Sequence, residues 1–240
     1  MSRHEVLLGW RNLSPQAALA FPPPRLVAEM PSAEAAGPLA ERLVAIRAGG
    51  SVRARLVRGP GAAMDVGLVR EPGAMSPEAF HGLFHRVEPS SQRNGEVPAV
   101  QMALNIQFVC EEEASLQLLP PVFEPGYRSW PGTLVCGRFP LRAWPRPLNA
   151  VLEWDDPARD WTLTRGEPVA YALIDFHDPR ARPRLVEARS TPALTRHLAR
   201  IDDVSSVGRN VGPMFREAAE RRPARLLEPK TTYADSHGAS

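Results

Sequence analysis

Between Gln117 and His177 every apolar run is soon cut by proline or glycine. Pro120, Pro131, Pro140, Gly166 and Pro168 divide the stretch into short pieces. Proline lacks the amide hydrogen that a helix interior or a central strand needs, so each piece must begin or end there. Nine of the chain's 16 aromatics fall in the same stretch, among them Trp130, Trp144, Trp154 and Trp161. Aromatics carry the largest apolar area per residue, so a core nucleated here is built from short strands. About five strands fit, with connections too short for βαβ units, which favours antiparallel pairing.

The rest of the chain supplies both strand and helix patterns. Residues 5–10 read as a first strand, ended by Asn12 and Ser14-Pro15, and Phe21-Pro22-Pro23-Pro24 forces an extended segment. Leu39, Leu43 and Ile46 recur at helical spacing, predicting a helix over 33–48 that stops at Gly49-Gly50. Residues 52–57 alternate apolar and arginine, a strand with one solvated face; Gly59-Pro60-Gly61 turns it and 64–69 returns as a hairpin partner. Ser76-Pro77-Glu78 is a helix start, with a hydroxyl cap and proline at the first helical position, and the helix is predicted to run to Arg86. Residues 100–110 form a long strand with Met102, Leu104, Ile106 and Phe108 on one side, followed by Glu111-Glu112-Glu113 as a solvated turn. Further strands are expected over 115–119, 134–139, 149–154, 161–164, 169–176 and 185–188. Two helices follow, one opened by Thr191-Pro192 and one over 213–221 burying Met214, Phe215, Ala218 and Ala219. The expected fold is mainly β (α+β): one domain over 1–230, a jelly roll or distorted antiparallel barrel with peripheral helices, and a disordered tail over 231–240.

A chain of 240 residues buries roughly 70 % of its unfolded surface, enough for a core without disulfides or structural metal. Its formal net charge of +2 argues against nucleic-acid and membrane partners. Lys230 is the only lysine, so a Schiff-base or P-loop lysine mechanism is not expected, and the arginine excess reads either as carboxylate or phosphate recognition or as base-composition bias. Cys110 and Cys136 lie in apolar runs without metal-ligand spacing. There is no signal-peptide pattern and no membrane-length apolar run, which makes the cytoplasm the expected compartment. No GxGxxG, P-loop, GxSxG, CxxC, HExxH or kinase motif occurs.

Two constellations carry chemistry. Arg128-Ser129-Trp130-Pro131 and Arg142-Ala143-Trp144-Pro145 repeat the form R-x-W-P. Each tryptophan can plug a barrel end beneath its arginine's stem; alternatively Arg128, Arg138 and Arg142 converge with Trp130 and Trp144 on an anion. The histidines offer a second possibility. His81 and His85 stand at i and i+4 on the helix expected there, and Asp175 and His177 share one face at the end of an apolar strand. Fe or Zn is the metal that His177 and Asp175 would take, with one of His81, His85 or His197 as the further ligand, although D-x-H reverses the usual oxygenase order. The segment Trp144-Pro145-Arg146-Pro147-Leu148-Asn149, with Arg165-Gly166-Glu167-Pro168 and the apolar strand ending at Phe176, resembles a family of bacterial and phage proteins of unknown function. That resemblance implies a β-rich second half and no activity. The expected function is binding of a small, anionic molecule at the mouth of a β-barrel; a cupin-like metal-dependent oxygenase and a structural or assembly protein are the alternatives.

Overall fold

The computed structural model describes residues 3–58, 66–70, 76–88, 97–205 and 211–230. Strands dominate, and most of them coincide with the apolar runs of the sequence. In chain order they begin with β1 (His4–Asn12), helix α1 (Pro15–Ala20), β2 (Arg25–Leu26), helix α2 (Ala33–Ala36), β3 (Leu43–Arg47), β4 (Val52–Arg58) and β5 (Val66–Arg70). Next come helix α3 (Pro77–Leu83), β6 (Phe84–Arg86), β7 (Ala99–Cys110), β8 (Ala114–Leu119), β9 (Thr133–Val135), β10 (Gly137–Pro140) and β11 (Pro147–Glu153). The chain continues through β12 (Trp161–Leu163), β13 (Pro168–Phe176), β14 (Ala181–Glu187), α4 (Pro192–Ser205) and α5 (Val211–Glu220). Among the described residues no helix is long and apolar enough to cross a membrane.

The strands form three sheets. The first runs β14-β1-β7-β11-β9, with β6 also on β7; the second runs β10-β8-β13-β3-β2; the third is β12-β4-β5. The first and second curl into a half-barrel, and between β7 and β11 every connection crosses from one of them to the other. One hydrophobic cluster draws side chains from all three sheets, including Leu104, Ile174 and Trp161. In β7, Met102, Leu104, Ile106 and Phe108 are fully buried, each contributing on the order of 2 kcal/mol. Trp161 anchors one end of this core, with ring centroids of Trp130 at 5.3 Å, Phe84 at 5.5 Å and Trp154 at 6.3 Å.

Several expectations need correction. The helix expected over 33–48 is only α2: Gly37 takes a left-handed φ of 55° before Pro38, and 43–47 is a strand. Leu43, Val44, Ala45 and Ile46 are covered on both faces. Val44 and Ile46 enter the main core, while Leu43 and Ala45 join Val27, Ala36, Ala40 and Tyr171. An apolar run buried on two sides fits either periodicity, and Leu39, on the expected buried face, is 37 % exposed. The helix expected to reach Arg86 stops at Leu83, because Phe84, His85 and Arg86 pair with Met102, Gln101 and Val100 of β7. The strand expected over 134–139 breaks at Cys136 into β9 and β10, which belong to different sheets. β14 begins earlier than expected and runs parallel to β1, whereas the other strand pairings are antiparallel. Ala219 of α5 is exposed, while Phe215 and Ala218 pack on Trp144. The tail expected over 231–240 and the turn at Gly59-Pro60-Gly61 lie outside the described residues.

The acidic turn is also more than solvated. Glu111 Oε1 accepts the backbone amides of Leu226 and Leu227, each at 2.6 Å. Glu111 Oε2 receives Arg222, whose guanidinium also donates to the carbonyls of Cys110, Arg142 and Pro223. This clamp holds the C-terminal segment on the outer face of the first sheet, where Leu226 and Leu227 pack with Val109, Ala188 and Leu194. Gly9 lets Leu227 pack closely there, since a Cβ would stand 2.2 Å from Leu227 Cδ1 and displace that side chain.

Candidate functional site

The residues singled out by sequence do not converge on one centre. Arg138, on β10, donates through Nε to Ser115 Oγ and through Nη2 to Asp175 Oδ2, both at 2.9 Å. Asp175 also receives Arg42 at 3.1 Å. Arg142 donates to the Glu111 carbonyl at 2.8 Å and to Glu113 at 2.9 Å. Glu113, Arg138, Asp175 and the exposed His177 line one shallow cleft, in which the guanidinium groups already have protein partners. Trp130 lies in the main core against Tyr127 and Trp161, with Arg128 exposed on the 3-10 turn before it. Trp144 packs 4.7 Å from Phe215 in a separate cluster, and the arginine over its ring is Arg146, 5.4 Å away, not Arg142.

The histidines are dispersed as well. His81 is on α3 while His85 is on β6, so the i, i+4 helical pairing does not form. His197 is buried, with Nε2 3.3 Å from the Ala143 carbonyl oxygen. Asp175 is held by two arginines rather than by His177. Among the described residues, no group of three or more His, Cys, Asp or Glu is placed to hold a metal ion.

A different cavity, of about 490 Å³, opens where β1 ends beside β14. Trp10, Arg11 and Asn12 form its floor, Pro15 and Ala18 of α1 one wall, and Glu187, Ala188 and Lys230 another. The local sequence explains the wall: Ser14 caps α1 by accepting the Ala17 amide at 3.1 Å, and Pro15 takes the first helical position. Lys230 pairs with Glu187, so those two charges offset each other.

Arg11 is not offset. Its guanidinium is half-buried, and no described residue hydrogen-bonds or ion-pairs with it; Nε is buried without a partner. Asn12 beside it donates to the Phe21 carbonyl at 3.4 Å and leaves its buried Oδ1 unpartnered. Gln107, the register partner of Arg11 in β7, is fully buried and likewise leaves Oε1 unpartnered. Burial holds the Arg11 guanidinium below its ordinary value. A guanidinium nevertheless stays charged in proteins, so this burial has to be offset by an anion or by hydrogen bonds. Nothing in the sequence marks Arg11 among so many arginines; α1 and Lys230 of the C-terminal segment line the same cavity only once the chain is folded.

On the other side of α1 lies a larger groove of about 670 Å³. Leu19, Ala20, Gly49, Gly50, Ala79 and Gly82 line it, together with Asn105. Asn105 is a bulged residue of β7: the register against β11 shifts there, and its φ is 51°, in the left-handed region that asparagine tolerates. Gly82 lowers the stability of α3 by about 1 kcal/mol relative to alanine. No neighbour demands that glycine, since a Cβ there would meet nothing within 4 Å.

No protein-family model matches this chain, and no curated protein matches it either. The resemblance of its second half to a family of unknown function therefore carries no further argument.

Proposed function

We propose that this protein binds a small anionic molecule and that Arg11 is the cation that receives it. The observation that carries this reading is the half-buried Arg11 guanidinium, without a counter-charge among the described residues, lining a cavity. Arginine presents a planar fork of donors that matches a carboxylate or phosphate edge, and an anion seated there would supply the missing partner.

The site expected from sequence moves because Arg138 and Arg142 use their donors on protein groups, and because Trp130 and Trp144 belong to different clusters. In this reading the curled sheets make a distorted barrel, with the binding cavity at the β1–β14 end rather than among the tryptophans. The protein acts in the cytoplasm, where small organic acids and phosphates are abundant.

Isothermal titration with acetate, lactate, octanoate and inorganic phosphate tests this, using the intact chain and an Arg11→Met variant. Saturable binding of at least one anion, lost in Arg11→Met while the variant stays folded, is the expected result. Binding that survives the replacement, or no binding by any of the four, would overturn the proposal.

A further inference from the structure

We infer that the bound anion is an acid with an apolar body, its head on Arg11 and its tail in the groove beyond α1. This rests on the proposed role of Arg11 and adds the chemical class of the ligand.

Ser14 lines both the Arg11 cavity and the groove, so the two openings lie within the span of one side chain. A chain attached to a carboxylate on Arg11 can therefore pass over Ser14 into the second space. The walls there suit a tail and not a second charge. Ala20, Gly49, Gly50, Ala79 and Gly82 are small, and Leu83 is apolar. Built Cβ atoms at Gly50 and Gly82 meet nothing within 4 Å, which leaves the groove unobstructed along both the β3–β4 turn and α3. Its volume of about 670 Å³ is within the range of sites that enclose small molecules.

Leu19 supplies a second, independent sign. It stands at the groove on α1 and is 81 % exposed, the most exposed of the large apolar side chains in the described residues. Its helix is fixed from below: Gly49 N–H donates to the Ala20 carbonyl at 2.7 Å, and a Cβ on Gly49 would stand 2.2 Å from the Leu19 carbonyl oxygen. The Leu19 side chain is thus presented outward by a pinned backbone, and an alkyl or aryl tail in the groove would cover it. Glu78 also lines the groove and disfavours a second anionic group there, which selects monoanionic acids over dicarboxylates.

Titration of the intact chain with straight-chain monocarboxylates from acetate to decanoate tests this. Affinity should rise about fourfold for each methylene buried, until the groove is filled. Gly82→Leu should fill the groove without unfolding α3, because that position is open and leucine favours a helix. It should weaken decanoate at least tenfold and leave the binding of the shortest acid unchanged. Gly50→Leu, from the β3–β4 turn, is the second filling variant, and thermal melting verifies that both are folded. Affinity that depends on Arg11 but not on chain length, or long-acid binding untouched by both filling variants, overturns the apolar-tail inference and leaves the anion site standing. No binding by any acid, or binding indifferent to Arg11→Met, overturns the proposed function and this inference together.

Discussion

Two arginines in this protein are withdrawn from water and treated in opposite ways. Arg222, with a side chain only 1 % exposed, meets the Glu111 carboxylate and four backbone carbonyls. Arg11, half-buried at the end of β1, meets no described partner. The Arg222 arrangement is that of a clamp: the charge is satisfied internally, and removing one half leaves the other stranded. The Arg11 arrangement fits the proposed role of a receptor, in which a half-buried charge without a described protein partner is stabilised by an anion from outside. Complete internal pairing thus fits a structural role for Arg222, and incomplete pairing beside a cavity is what the proposed anion-binding role of Arg11 requires.

The largest effect that separates them should come from Glu111→Ala. It strands the buried Arg222 and releases the Leu226 and Leu227 amides, so urea denaturation should show a loss of about 3 kcal/mol. A loss near zero would show that the backbone carbonyls alone satisfy Arg222. Arg11→Met should move the other way. Methionine keeps an apolar stem and removes the uncompensated charge, so stability should rise by about 1 kcal/mol while anion binding disappears. A loss of stability comparable to that of Glu111→Ala would erase the contrast.

Acid offers a gentler separation. Burial raises the Glu111 carboxyl, but the Leu226 and Leu227 amides and Arg222 outweigh it and hold the group below its usual range. A carboxylate whose folded value lies below its unfolded one stabilises fully above the unfolded value and loses that contribution as pH falls through the folded one. Hydrogen-exchange protection of the Leu226 and Leu227 amides should therefore decline below about pH 4. The Leu13 amide near Arg11, bonded to the Asn105 carbonyl, should keep its protection through the same range because arginine does not titrate there. Loss of both together would mean that the two regions open as one unit.

The smallest effect leaves stability untouched. Burial pushes the Cys110 thiol up to about 11, whereas Cys136 is exposed between β9 and β10. Mass spectrometry after brief alkylation at pH 8 should find label on Cys136 alone. In Glu111→Ala the label should also reach Cys110, whose carbonyl is one of the Arg222 acceptors. Equal labelling of both in the unaltered chain would contradict the burial of Cys110.

Features set by local chemistry were legible in the sequence. The alternation along 100–110 predicts β7, and Ser76-Pro77 predicts the start of α3 to the residue. The Val52–Arg58 strand shows the predicted pattern of buried apolar residues between exposed arginines. The failures share a cause: what the chain meets later decides them. Residues 43–46 become a strand because both of their faces are covered, and 84–86 leave the helix because β7 offers an edge to pair with. The candidate site was the least legible part. Arg138 and Asp175 do meet, but as an ion pair, and Glu111 looked like one of three solvated acids. Arg11 gains its meaning only from groups that close over it from both ends of the chain.

That closure has a consequence for assembly in time. Strand β1 sits between β7 and β14, and its parallel partners join His4–Trp10 to Ala181–Glu187 near the far end of the chain. Contacts so distant in sequence form late, since a long loop must close before they are rewarded. During synthesis β1 emerges before both of its neighbours, β7 and β14, and the clamp segment follows β14. The Arg11 cavity therefore forms only after β14 and Lys230 have been made: a chain halted before β14 holds the arginine but lacks the wall of Glu187, Ala188 and Lys230, and β1 keeps an open edge to which other chains can attach.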